Sequence, residues 1–339
     1  EAELKRIQHA AIRDVVRMQE ELGLKLVTDG EYNRHSWHRD FMLKFENVRM
    51  MPSKLTVRFH SADGDRLHSP PTMQVTGKLA RPNGGGIFVD DFKFLASIAR
   101  STPKITLPSP TVMHFRGGRD AIDAEAYPDI AEFYDDLSRL YREEIGDLAA
   151  AGCRYLQIDE VNLAYLCDPN LRKEVAGFGE DPDALPATYA KLLNDSIAGR
   201  PKDMVVAMHL CRGNFAGAWV AEGGYEPIAE LLFNQIAVDA YFLEYDSPRA
   251  GGFEPLRFLP KGKIAVLGLI TTKSGELESK DELKRRIEDA ARHAPLEQLA
   301  LSPQCGFSSG IGGNTMDIDG EVAKLRLVVE TAREGWGSA

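Results

Sequence analysis

Apolar residues recur along this chain with two different periods, and the points where the period changes mark out the elements. Leu4, Ile7, Ala11, Val15, Met18 and Leu22 fall on one face of a helix over 1–22, which Gly23 ends. Leu24 to Thr28 then reads as a short strand that closes on Asp29-Gly30-Glu31. Beyond residue 100 short apolar runs return at 104–110, 154–160, 205–211, 240–246, 264–270 and 299–305. Amphipathic helices separate them at 128–151, 185–199, 226–237, 279–293 and 318–334. Continuously apolar strands that alternate with helices predict a parallel sheet covered on both faces.

Residues 46–98 break this rhythm. KLTVRFHS and PTMQVTGKL alternate like strands around Asp63-Gly64-Asp65, a hairpin signal, so an antiparallel excursion is expected here. Pro82 to Gly86 reads as its flexible return, and a helix follows at about 89–101.

Counted from Leu24 there are seven strands, each leading toward a helix. An α/β fold of the (β/α)8 TIM type needs eight, so the strand that helix 1–22 would follow is expected upstream of Glu1. The rival, an open doubly wound sheet, normally carries a G-x-G-x-x-G turn after an early strand, and none occurs here. No linker or low-complexity stretch divides the core, so one catalytic barrel over 1–339 is expected.

Composition narrows the setting. At 339 residues, 43% hydrophobic and 27% charged, the chain fits a soluble globular protein with an ample core. A net charge of −10 without basic blocks argues against nucleic acid, and no apolar run reaches a membrane span. No signal peptide is visible, and four scattered cysteines read as reduced thiols, so a cytoplasmic location is expected. Nothing in the pattern opposes a homo-oligomer.

In a barrel of this type the active site lies at the C-terminal ends of the strands. Those ends carry Asp29 and Glu31, Ser109, Asp159 and Glu160, His209 and Cys211, Glu244 and Asp246, Thr271, and Cys305. His209 and Cys211, two apart on one strand, share a face, and both residue types suit zinc. With Glu244 and Cys305 from the next strands they make a zinc set, whereas Cys153 precedes a strand and Cys167 lies well beyond one. Taken singly, each carboxylate is as well explained as a helix cap or rim charge, and each cysteine as a buried thiol. Together they invite a cation.

VTDGEYNRHSWHRDF, YLQIDE, MHLCRGN, FLEYD, LGLITTK and LSPQCGFSS resemble, in order, the motifs of the cobalamin-independent methionine synthase family. The resemblance runs from about 24 to 335 and is nearest to short, single-barrel bacterial members. It implies zinc on His209, Cys211, Glu244 and Cys305, the set already picked by position. It further implies that Glu31 and Asp159 act on the substrate by holding the homocysteine ammonium, with Ser109 at its carboxylate. The family's first-strand G-S-x-P-R-type motif and the second barrel of its long members are absent here, as is their histidine after the seventh strand, where this chain reads Thr271-Thr272-Lys273.

The function expected is therefore zinc-dependent methyl transfer to a small-molecule thiol, homocysteine to methionine, from methyltetrahydrofolate or a methylated corrinoid. Alternatives are another thiol alkylation, such as epoxyalkane opening by coenzyme M, metal-dependent hydrolysis, and a non-catalytic barrel with structural zinc. Two thiolates disfavour hydrolysis, because they suppress the acidity of a metal-bound water. Trp37 and His38 are candidates to line a donor pocket. His114, Arg116 and Arg119 are candidates for an anionic donor tail, or for ordinary surface ion pairs.

Overall fold

The computed structural model describes residues 2–61, 64–82, 85–215, 217–308 and 316–337. Helix α1 (Ala2–Leu22) leads into strand β1 (Leu26–Val27), and the loop after it holds a short helix α2 (Arg39–Met42). The excursion follows as β2 (Glu46–Met51), β3 (Val57–Phe59), β4 (Arg66–His68) and β5 (Thr72–Ala80), then helix α3 (Val89–Ile98). The repeating part comprises β6 (Thr102–Pro103), β7 (Ile105–Pro108), α4 (Val112–Phe115), α5 (Ile130–Ala150), β8 (Tyr155–Glu160), α6 (Asn162–Tyr165), α7 (Pro169–Gly177) and α8 (Leu185–Ile197). It ends with β9 (Val205–Leu210), α9 (Ala229–Gln235), β10 (Ala240–Glu244), β11 (Ile264–Ile270), α10 (Lys280–Ala290), β12 (Leu299–Pro303) and α11 (Ile318–Trp336).

Strands β7 to β12 pair in chain order, all parallel. Strand β1 pairs in parallel with β6, and the Lys104 amide continues that ladder to the Val27 carbonyl at 2.8 Å. With β6 and β7 joined through Lys104, seven strands run in sequential order, as the alternation of apolar strands and helices predicts. Among the described residues β1 and β12 do not pair with each other. The strands are apolar throughout because both faces are covered: every residue of β11 after Ile264 is buried, and every residue of β9 after Val205. One continuous core joins the inner strands to the helices from Phe41 to Val328. None of the described helices is long and apolar enough to cross a membrane.

Two expectations need correction. KLTVRFHS and PTMQVTGKL do not pair with each other: β3 pairs with β4, and β5 turns back to pair with β2. Alternation identifies a strand but not its partner, and the apolar positions of β5 (Met73, Val75, Leu79) are buried in the main core beside Phe41 and Phe45. The predicted turn at Asp63 and the return at Asn83 and Gly84 lie outside the described residues. The helix expected at 226–237 is a 3-10 turn (Glu226–Ile228) followed by α9, since Pro227 sits inside it.

The excursion is fastened to the rest of the barrel. His60 and Trp219 exchange backbone hydrogen bonds of 2.7 and 3.0 Å, and the Phe59 ring lies 5.7 Å from that of Phe215. The end of β3, through Phe59 and His60, thereby reaches the loop that follows β9.

Candidate metal centre and substrate pocket

Parallel register places β9, β10 and β12 so that their C-terminal ends present His209, Cys211, Glu244 and Cys305 together. One ligand atom from each lies within 4.8 Å of all the others. The two Sγ atoms are 3.8 Å apart, and His209 Nε2 is 3.8 Å from Glu244 Oε1. A tetrahedral zinc with Zn–S bonds of about 2.3 Å has an S···S edge of about 3.8 Å, so the spacing fits the ion. His209 Nε2 and Glu244 Oε1 are both buried, and neither has a hydrogen-bond partner among the described residues. Two such atoms facing each other are what a ligand set leaves for a cation.

Protonation tells the same story. Burial raises the Glu244 carboxyl. The contact with Cys305 holds the Cys211 thiol well above its usual range, and the same contact pulls Cys305 well below. Burial opposes a charged His209, but Cys305, Glu244 and Asp159 outweigh it and raise the imidazole to about 9. The set keeps protons that a dication would displace.

Neighbours fix the ligands in place. Gln304 Nε2 donates to Glu244 Oε2 at 2.7 Å, and the Tyr225 hydroxyl accepts from the Glu244 amide at 2.9 Å. Gly268 lets the last strand approach: a Cβ there would meet Leu243 O at 2.8 Å and Gln304 Cα at 3.0 Å. Gly213, at φ +85°, donates its amide to Cys211 Sγ at 3.3 Å, and a Cβ on it would meet Val220 and the Tyr165 hydroxyl. Cys153 and Cys167 lie elsewhere in the core, their thiols pushed by burial up to about 11 and about 12.

Beside the candidate metal ligands lies a carboxylate pair. Asp159 stands in register with His209, and burial, reinforced by the Glu31 charge, pushes its carboxyl up to about 6. Gln157 holds one Asp159 oxygen at 2.6 Å and is itself held by Lys104 at 2.9 Å. Glu31 has a left-handed backbone (φ 57°), and its Oε1 accepts from Thr106 at 2.6 Å and Arg34 at 3.2 Å. The buried Arg34 also donates to the Thr106 carbonyl at 2.9 Å and lies over the Phe88 ring. Ser109 is fully buried, with its amide on the Asp159 carbonyl at 2.9 Å and its hydroxyl 3.0 Å from that of Thr111.

The remaining strand-end carboxylates serve the scaffold. Glu160 accepts from Thr111 at 2.6 Å and from the amides of Asn162 and Leu163. Asp246 pairs with Arg249 at 2.8 Å and lies 3.6 Å from Lys273. Asp29 caps the Glu31 amide at 2.9 Å. Of the site's supports, Lys104, Arg34, Tyr165 and Gln304 carried no sequence signal beyond lying within or next to the strand-end motifs.

Comparison with known proteins gives consistent matches. Residues 1–334 match the family model described as the catalytic domain of cobalamin-independent synthase. The chain is 42% identical over 337 residues to the uncharacterized protein YxjG of Bacillus subtilis, spanning 98% of this chain and 87% of that one. It is 25% identical over 324 residues to the 5-methyltetrahydropteroyltriglutamate–homocysteine methyltransferase of Thermotoga petrophila, spanning 95% of this chain and 39% of the relative. Among solved structures, the putative vitamin-B12 independent methionine synthase of Listeria monocytogenes superposes with a TM-score of 0.74 at 33% identity, covering 98% of this chain and 88% of the other. The fold is thus of the TIM-barrel type found in these catalytic domains. A corrinoid donor finds no support in these names.

Proposed function

Since the chain belongs to the family of cobalamin-independent synthase catalytic domains, we propose that it transfers a methyl group to the sulfur of homocysteine, with zinc held by His209, Cys211, Glu244 and Cys305. The observation that carries the reading is the convergence of those four ligand atoms within 4.8 Å, two of them buried and unpartnered. The Thermotoga relative's name supports a methyltetrahydropteroylglutamate as donor.

A zinc ion on this set would make an incoming thiol ionise at neutral pH, where a free thiol with pKa near 8.5 is mostly protonated. The chain's own residues do the rest. Asp159 and Glu31 grip the substrate ammonium; Arg34 and Thr106 hold Glu31, and Gln157 holds Asp159. The family resemblance assigns the substrate carboxylate to Ser109, whose amide donates to the Asp159 carbonyl on the neighbouring strand. An ammonium between two carboxylates also removes the repulsion that raises Asp159. In the transfer the S–CH3 bond forms as the donor's N–CH3 bond breaks; the thiol proton has gone to solvent, and the leaving nitrogen takes one up. The carboxylate pair favours an amino-thiol over a sulfonate thiol such as coenzyme M.

The test is methyl transfer to homocysteine from 5-methyltetrahydropteroyltriglutamate by the zinc-loaded protein, alongside proton release on homocysteine binding in weak buffer. Methionine should form, and about one proton should be released per site. Homocysteine binding with no proton release would overturn the reading.

A further inference from the structure

The run HFRGGR offers three basic side chains, and the fold puts two of them to structural use. His114 Nδ1 lies 3.0 Å from the Tyr189 hydroxyl and its Nε2 3.5 Å from Glu180. Arg119 donates to the carbonyls of Ile122 and Tyr127 at 2.8 and 2.6 Å. Arg116 differs. It is only 8% exposed, and its Nε is buried with no hydrogen-bond partner. Among the described residues it forms no ion pair with a carboxylate; burial works against its charge, and its electrostatic neighbours are the Tyr165 phenol and the like-charged Arg39. Among the described residues the Arg39 side chain donates only to the Ser36 hydroxyl, at 3.3 Å. Nearby His38 is kept neutral by burial and by these two guanidinium groups, so it supplies no counter-charge.

A buried guanidinium without an anion is costly, and evolution has cheaper ways to fill such a place. Its position gives a reason to keep it. The Tyr165 hydroxyl lies against Gly213, whose amide is on Cys211 Sγ, and its phenol is within electrostatic reach of Arg116 as well as of Cys211, Glu244 and Cys305. An anion on Arg116 would therefore share Tyr165 as a neighbour with the candidate sulfur-binding cluster. The excursion touches the same segment, where the Ser53 hydroxyl donates to the Arg116 backbone carbonyl at 3.1 Å. Trp37, its ring 4.5 Å from that of His38, adds an aromatic plane.

We propose that Arg116, with Arg39 beside it, binds a carboxylate of the methyl donor, so that this barrel carries its own subsite for the donor's glutamate. The planar fork of arginine suits a carboxylate, and a desolvated fork binds it more strongly than an exposed one. This rests on the reading above that the donor is a pteroylglutamate. The thiol substrate also has a carboxylate, but its ammonium anchors at Asp159 and Glu31, with Ser109 adjacent to them.

The test compares titrations of pteroyltriglutamate and of pteroate, which lacks glutamate, into the zinc-loaded full chain, its Arg116→Met variant and its Arg116→Lys variant. The parent should bind pteroyltriglutamate at least tenfold more tightly than pteroate. Arg116→Met should erase that preference, Arg116→Lys should keep part of it, and homocysteine affinity should stay unchanged in both. Arg116→Met should also melt no lower than the parent, because it removes an unpaired buried charge. No preference in the parent, or a preference that survives Arg116→Met, overturns the proposal. So does a lower melting point with all ligands weakened alike, which marks a structural residue. Loss of homocysteine binding instead would assign Arg116 to the thiol's carboxylate and refute the donor subsite. Methyl transfer is measured separately: a parent protein that binds through Arg116 yet transfers nothing refutes the reaction and leaves the subsite standing.

Discussion

Replacing Gln304 by Met tests the metal assignment through a residue that is not itself a ligand. Gln304 is 2% exposed, and its Nε2 is held 2.7 Å from Glu244 Oε2. Met is close in volume but cannot donate, so the carboxylate loses the hydrogen bond that favours its charged form. A hydrogen bond to a buried charge contributes about 1.5–3 kcal/mol. Water cannot replace the donor here, since Glu244 is fully buried. Losing a partner of this kind typically lowers metal affinity roughly 10–100-fold, or about 1.4–2.7 kcal/mol. Burial already raises the Glu244 pKa, and Gln304→Met raises it further. Protons therefore compete harder for the ligand, and the deficit should widen as pH falls from 8 to 6 and narrow as it rises. Competition against a chromophoric zinc chelator at pH 6, 7 and 8 reads both effects. Stability should change little, because Gln304 Oε1 is itself buried without a partner and Met removes that penalty. Zinc affinity within twofold of the parent, with an unchanged pH slope, would refute the view that Glu244 binds the metal with Gln304 holding it.

Purified protein should carry about one zinc by mass spectrometry of metals; Cys211→Ser or Cys305→Ser should lose it, while Cys153→Ser and Cys167→Ser should retain it. Glu31→Gln and Asp159→Asn should each weaken homocysteine by roughly 1.5–3 kcal/mol in calorimetric titration, with zinc content unaffected. The Asp159 carboxyl, raised to about 6, must be ionised to hold an ammonium, so homocysteine affinity should fall as pH drops below about 6. Asp159→Asn should flatten that part of the profile. Gly213→Ala puts a side chain at φ +85° with contacts of 2.8 Å to Val220 and 3.0 Å to Tyr165. Thermal unfolding should show a loss of about 2–5 kcal/mol, the sum of left-handed strain and overpacking.

Much of the barrel was legible because parallel strands covered on both faces must be apolar along their length; Ile264–Ile270 is found where it was expected. The candidate metal set was legible because strand ends in such a barrel share one mouth, and His, Cys and Glu there are chemically distinctive. What could not be read was partner choice. Residues 72–80 look like a strand from their alternation alone, but only three-dimensional packing sends them to Glu46–Met51. His114, Arg116 and Arg119 likewise look equivalent in one short run. Their different fates depend on Tyr189, Glu180 and the Tyr127 carbonyl, all distant in sequence or hidden in a loop. Arg34 and Lys104, which support the carboxylate pair, look like ordinary surface cations until the fold buries the first and half-buries the second.

The four sulfur, nitrogen and oxygen atoms come from β9, β10 and β12, with Cys211 and Cys305 94 residues apart. A growing chain that has emerged only through β10 holds His209, Cys211 and Glu244 but not the fourth ligand. On the proposed ligand set, tight capture of metal would therefore await β12, whose approach depends on Gly268. A cation that prefers the finished site to every partial one stabilises only the finished barrel. With zinc bound as proposed, the ion would act as a late lock on topology: chains that misplace β12 would stay metal-poor and exposed to proteolysis, while correctly closed ones would be withdrawn from the unfolding equilibrium. Pulse proteolysis of refolding protein, with zinc added before or after β12 has docked, would register that lock as a change in the surviving fraction and not in the rate of early collapse.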